Sequence, residues 1–251
     1  MKRTALAASA LSVAVLTGLT GCGSDDSDTD AAAAAAAADE PKASASASQA
    51  KGPSPAERLA KLMVTQAEVG GGYKVEKSTL DAEYTFAKSQ DEVTLDKAVC
   101  APLAYVMNQL PLGEPQAFLT HHASTNTLTK GSNYITLNAY EEEGKAQSAM
   151  AGLSKAVDSC GAGFTAKANG NSGKQDTVTA EKTDAAGDES LAFKSTMAFK
   201  GVTHTVHGAA VRSADIVAVY YSVNGGAIFK GYPSDAKIPA AVLKAQNAKL
   251  S

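Results

Sequence analysis

The chain has 251 residues, 44% of them hydrophobic, which is ample material for one domain with a proper core. Its formal net charge is only −3, with 23 Lys and Arg against 26 Asp and Glu, so no basic excess points to nucleic acid. Tryptophan is absent, which disfavours a carbohydrate-stacking platform.

Residues 1–21 have the layout of an export signal. Lys2 and Arg3 form a charged start, and Ala5 to Leu19 is almost wholly apolar, too short for a comfortable membrane span. The run ends in Leu19-Thr20-Gly21-Cys22, the register of a lipobox. Small residues there suit the lipoprotein signal peptidase, and the Cys22 thiol accepts a diacylglycerol. Palmitate-length acyl chains contribute about 0.8 kcal/mol per buried CH₂, so two or three of them anchor a protein for good. The expected site is therefore the outer face of the cytoplasmic membrane, with the lipid on Cys22 as anchor.

Residues 22–55 change character abruptly. They carry Asp25, Asp26, Asp28 and Asp30, eight alanines from Ala31 to Ala38, an Ala-Ser alternation from Ala43 to Ser48, and Pro53 and Pro55. Val, Ile, Leu, Phe and Tyr are missing from residues 23–55, so no core can form, and a disordered tether is expected. Such a chain spans roughly 30 Å, at about 5–6 Å times the square root of its length.

Residues 56–251 read as one extracytoplasmic domain. Leu59, Leu62 and Met63 at helical spacing predict a helix over 56–64, followed by a capping box at Thr65 and Glu68. Gly70, Gly71 and Gly72 precede a strand near Tyr73–Glu76. Pro102 opens a second helix carrying Leu103, Val106, Met107 and Leu110 on one face. Ile135, Leu137 and Ala139 alternate with Thr136 and Asn138 in a half-buried strand. Ala146, Ala149, Met150, Leu153, Ala156, Val157 and Cys160 define the longest helix, with Gly161 to end it. A β-meander follows, with Asn169-Gly170, Lys200-Gly201 and Asn224-Gly225 supplying hairpin turns, and Pro239 opens a last helix. The order predicts an α+β domain, an antiparallel sheet with helices packed on one face.

With Cys22 lipidated, only Cys100 and Cys160 remain, and outside the cytoplasm a disulfide between them is the default. It would join the start of the second helix to the end of the third. The remaining chemistry is sparse. Gly173-Lys174 lacks the flanking residues of a phosphate loop. Ser234-Asp235-Ala236-Lys237 has a Ser-x-x-Lys spacing but no Lys-Thr-Gly companion, and Pro233 with Asp235 reads as a turn. His121 and His122, like His204 and His207, point to opposite sides of their strands, which defeats pairwise metal binding. No metal, cofactor or catalytic residue is expected.

Ile216–Val223 is apolar on both faces. Its second face is covered either by sheet or helix packing or by a ligand. The bolder expectation makes it the floor of a cleft, with Tyr220 or Tyr221 at the mouth, since tyrosine offers apolar area with a wet hydroxyl. Arg212, at a strand end, is either an anion-binding residue or a surface ion pair.

Cys100-Ala101-Pro102-Leu103, the Ala146–Val157 helix ending in Cys160, Gly187-Asp188-Glu189, Val211-Arg212, Asn224, and Ile238-Pro239 with Gln246 and Leu250 resemble the PknH-like extracellular sensor domain. That family occurs on receptor serine/threonine kinases and on stand-alone actinobacterial lipoproteins. The resemblance implies an antiparallel sheet, helices pinned by disulfides, and a cleft for an unidentified ligand. The kinase ectodomain has a second cysteine pair, which this chain lacks. Two functions follow as expectations: a tethered, non-enzymatic binding or sensing module for a small-molecule or envelope ligand, or a carrier of lipid or other apolar molecules. A shallow polar cleft would favour the first and a large apolar cavity the second.

Overall fold

The computed structural model describes residues 52–78, 86–125 and 131–251, all within a compact unit that runs from Ala50 to Ser251. The expectations for Cys22, the signal and most of the tether lie outside the described residues.

Two capped helices open the fold. In α1 (Pro55–Leu62), Ser54 Oγ accepts from the Glu57 amide at 3.3 Å while the Ser54 amide donates to Glu57 at 2.8 Å. The predicted box at Thr65 and Glu68 caps α2 (Gln66–Val69) in the same way. These reciprocal bonds satisfy amides that a helix start leaves without partners. The chain then enters β1 (Tyr73–Lys77), β2 (Thr94–Leu95), α3 (Ala101–Met107), β3 (Ala117–Thr125), β4 (Ser132–Ala139) and α4 (Glu143–Ser159). The remaining elements are β5 (Phe164–Ala168), β6 (Asn171–Gln175), β7 (Thr177–Glu181), β8 (Glu189–Phe199), β9 (Val202–Ser213), β10 (Ile216–Val223), α5 (Gly225–Lys230), β11 (Ser234–Ala236) and α6 (Ala240–Asn247).

The main sheet has eight strands in the order β1-β3-β4-β10-β9-β8-β7, antiparallel along that path, with β11 parallel to β9 where β10 has ended. β2, β5 and β6 form a separate small sheet. Lys200-Gly201 and Asn169-Gly170 make their hairpins with both residues at positive φ. Asn224-Gly225 does not: the Asn224 side chain accepts from the Ala227 amide at 2.9 Å and starts α5. Asparagine before glycine suits a primed turn and a helix N-cap alike, so local chemistry could not separate them. Ser234–Ala236, read as a turn, is the short strand β11.

The α+β class, the antiparallel sheet and the disulfide stand as expected, but the helices cover both faces. β10 lies between β4 and β9, and its side chains alternate between two separate cores. Val217, Val219 and Tyr221 join Leu103 of α3 and Met150 and Leu153 of α4. Ile216, Ala218 and Tyr220 join Leu59 of α1 and Val242 of α6. A strand apolar on both sides needs two covers, and helices from the two ends of the domain supply the second. Cys100 and Cys160 are bonded across a separation of 60 residues, which ties the N-cap of α3 to the C-cap of α4.

Candidate functional site

The residues first suspected of ligand contact are closed off. Tyr220 is 0% exposed, and its hydroxyl donates to Asn247 Oδ1 at 2.5 Å. Burial pushes its ionisation far above the usual tyrosine range. Tyr221 faces the other core, is likewise buried, and lies 6.4 Å from Tyr134, whose ring stacks on His122 at 4.9 Å. Every residue from Ile216 to Ser222 is buried, and none of them lines the cavities described below. The cleft floor at β10 is therefore wrong, because α3 and α4 occupy one side and α1 and α6 the other.

Arg212 is a structural hub. Its Nη1 donates to Glu143 at 3.0 Å, to Asp188 at 3.1 Å and to the Ala214 carbonyl at 3.2 Å, while Nε reaches Glu189 at 3.4 Å. Three carboxylates outnumber one guanidinium, so the surroundings repel an anion rather than invite one. Gly187 completes the cluster. At φ +60, a Cβ there would sit 2.2 Å from the Arg212 carbonyl oxygen, so the chain can approach that closely only with glycine. Gln246 has a comparable role: fully buried, it accepts from the Val64 amide and donates to the Leu62 carbonyl, both at 2.9 Å.

The histidines are also placed structurally. His207 lies between Glu181, 2.6 Å from Nδ1, and Asp235, 2.5 Å from Nε2, linking β7, β9 and β11. The two carboxylates sit on opposite nitrogens and do not converge on one point. His204 Nδ1 stands 3.1 Å from Ser234 Oγ, which fastens β11 to β9.

Two cavities lie along residues 111–118, the loop after α3 together with the first two residues of β3. One cavity of about 600 Å³ is lined by Lys88–Asp91, Pro111 and Gly113–Phe118. A second of about 560 Å³ lies across the same loop, with Tyr140, Glu141, Lys145, Ser148 and Ala149 as its far wall. Both fall within the size range of ligand pockets, roughly 300–1,000 Å³. The loop between them is held firmly. The Leu112 amide donates to buried Asn138 Oδ1 at 3.1 Å, and the Tyr140 hydroxyl donates to the Leu112 carbonyl. Gln90 Nε2 donates to the carbonyls of Pro111 at 2.8 Å and Gly113 at 2.9 Å, and the Gln116 amide bonds Ala139 at 2.8 Å. Behind the cavity the Lys88 amide donates to Glu92 at 2.8 Å, and that bond, followed by one from Asn169, holds the Glu92 carboxyl below the usual range.

The walls offer amides, carboxylates and lysines of mixed sign beside the prolines and half-exposed Phe118. That set suits hydrogen bonding to a polar ligand on a preorganised loop. Sequence reasoning missed this site because its anchors, Asn138 and Tyr140, sit at the far end of a strand and meet the loop only after folding. The Gly113-Glu114-Pro115 turn was the one local signal.

The fold defines an α+β domain whose sheet is covered on both faces, with two cavities sharing one loop; further cavities of about 400 and 460 Å³ lie beside β11 and at the β5–β6 hairpin. No family profile matches the chain, and no curated protein matches it. Among solved structures the fold is similar to the extracellular domain of PknH from Mycobacterium tuberculosis, with a TM-score of 0.50 and 14% identity, over 79% of this chain and 95% of that one. An uncharacterised Rv0999 ortholog from Mycobacterium smegmatis aligns at a TM-score of 0.39 and 12% identity, over 77% of this chain and 95% of that one. At 14% identity the likeness to the PknH domain is one of fold.

Proposed function

We propose that this chain is a non-enzymatic ligand-binding or sensing module, held at the outer face of the cytoplasmic membrane by lipid on Cys22. The observation that carries the binding part is the rigid 111–118 loop with an open, mixed-polarity cavity on each side. Its character suits a polar small molecule or envelope component better than acyl chains, which favours sensing over carriage of apolar molecules. The likeness to an extracellular domain supports a place outside the cytoplasm, as does the disulfide. The Cys22 anchor is supported by the Leu19-Thr20-Gly21-Cys22 register that ends the apolar run; no helix among the described residues is long and apolar enough to cross a membrane.

Native mass spectrometry of the purified chain tests the binding reading, using wild type and a Gln116→Ala/Glu114→Ala variant. A mass adduct carried by wild type and lost from the folded variant supports it. An adduct of fatty-acid mass retained by the variant overturns it in favour of carriage. Membrane fractionation tests the anchor: Cys22→Ala should leave the membrane fraction, and wild-type behaviour of that variant removes the lipid from the account.

A further inference from the structure

The tip of the β8–β9 hairpin and helix α5 present three aromatic rings to solvent. Phe229 is 79% exposed, Tyr232 64% and Phe199 42%. Phe199 and Phe229 share one patch, and Tyr232 follows two residues after the end of α5, its amide bonded to the Ala227 carbonyl at 2.9 Å. Lys200 Nζ donates to the Phe229 carbonyl at 3.1 Å and stands 5.5 Å from the Phe199 ring centroid and 5.4 Å from that of Phe229. The hairpin turn holds Lys200 at its tip, with φ +52 followed by Gly201 at +74. Lys230, exposed, closes α5 beside Phe229.

The charge around this patch runs against that of the chain. The whole sequence carries −3, yet between Glu189 and Asp235 the sole carboxylate is Asp215, against Lys194, Lys200, Arg212 and Lys230. Asp215 lies in the turn at the other end of β9 and is paired there with Arg58. Two carboxylates on neighbouring strands, Asp176 beside Thr196 and Asp235 opposite Thr205, are paired with Lys174 and His207, which leaves the tip with exposed rings, Lys200 and Lys230.

We propose that this patch docks the domain on an anionic phospholipid bilayer. Phe199, Phe229 and Tyr232 enter at headgroup depth, and Lys200 and Lys230 face the phosphates. Aromatic rings favour that interface, and a lysine near an anionic surface is attracted while its stem stays apolar. A second copy fits worse, because an isologous contact would set the same lysines against each other. The inference rests on the reading of Cys22 as a lipid anchor, which keeps the domain within reach of a bilayer, so that a weak second contact becomes effective.

The test uses residues 22–251 carrying Cys22→Ser, so that no lipid confuses the result. Flotation is measured with pure phosphatidylcholine vesicles and with vesicles containing roughly 30% phosphatidylglycerol, enough to give the surface a negative potential. The chain should float with the anionic vesicles, less with the neutral ones, and less again as salt is raised. Phe229→Ala/Tyr232→Ala, with unchanged thermal unfolding, should weaken binding roughly tenfold, the change expected when about 1.4 kcal/mol is lost. No flotation with anionic vesicles at low salt overturns the proposal, as does equal binding by the variant or by neutral vesicles. Self-association that depends on these rings overturns it in favour of a second copy. Failure here leaves the Cys22 anchor standing, because fractionation of Cys22→Ala reads that anchor separately.

Discussion

The two faces of the main sheet are covered in different ways. On one face lie α3 and the long helix α4, consecutive helices with only the β3 and β4 strands between them, joined covalently at Cys100–Cys160. α4 buries Ala146, Met150, Leu153, Ala156 and Val157 in a continuous stripe. The other face is closed by α1 and α6, helices of eight residues each from opposite ends of the domain. Neither is long enough to persist alone in water. Their substitute for a covalent tie is polar. Gln246 of α6 holds the backbone just past α1 through two hydrogen bonds, and Lys249 reaches Glu68 at 2.9 Å. A face built from distant segments is thus held by specific hydrogen bonds, while a face built around one long helix is stapled.

The largest effect should come from the staple. In the loop-entropy account, closing a loop of this length restrains the unfolded chain by about 4 kcal/mol. Cys100→Ser/Cys160→Ser should therefore lower the melting temperature by about 10 °C in a domain of this size, and reductant should do the same to wild type. Calorimetry with and without reductant measures it. A loss smaller than that of the next variant would reverse the ranking of the two faces.

Gln246→Leu keeps the side-chain volume but strands the Val64 amide and the Leu62 carbonyl. A fully stranded group costs about 1–3 kcal/mol, and the bond to the Leu62 carbonyl is only partly buried, so the variant should lose about 2–4 kcal/mol in chemical denaturation. Hydrogen exchange sharpens the comparison: protection should fall in α1 and α6 while α4 keeps its own. Uniform loss across both faces would show that they unfold as one unit.

The smallest effect is the pH dependence. Burial lowers the ionisation of His121 and His122 from 6.5, with Lys77 beside His121 adding to it and Glu76 opposing it at His122. The unfolded chain then takes up protons that the folded chain refuses, so stability falls as pH drops through about 6.5. Hydrogen bonds from Lys249 and then Thr65 hold Glu68 down to about 2. A depressed carboxyl stabilises above its unfolded value of 4.5, and that contribution is lost as pH falls towards 2. Melting temperatures from pH 7.5 to pH 3 should decline in these two stages, and His122→Phe should flatten the first. A profile unchanged by His122→Phe would assign the first stage elsewhere.

Periodicity, caps and cysteine arithmetic are local properties, and they were legible in the sequence alone. The stripe from Ala146 to Val157, the box at Thr65 and Glu68, the primed turns at Asn169 and Lys200 and the pairing of Cys100 with Cys160 all follow from spacing and side-chain chemistry. Asn224-Gly225 marks the limit of such reasoning, since its two outcomes use the same local chemistry. What covers β10 was beyond the sequence. Ile216–Val223 announces two apolar faces, but only the tertiary fold brings α1 and α6 from residues far apart onto the second, which turns Tyr220 from a proposed cleft mouth into a core residue bonded to Asn247. The same holds for Arg212, whose carboxylate partners lie 69, 24 and 23 residues away, and for the 111–118 loop, whose anchors Asn138 and Tyr140 belong to another strand and its end. A strand states which of its sides are apolar; which segments meet those sides depends on long-range packing that no local pattern encodes.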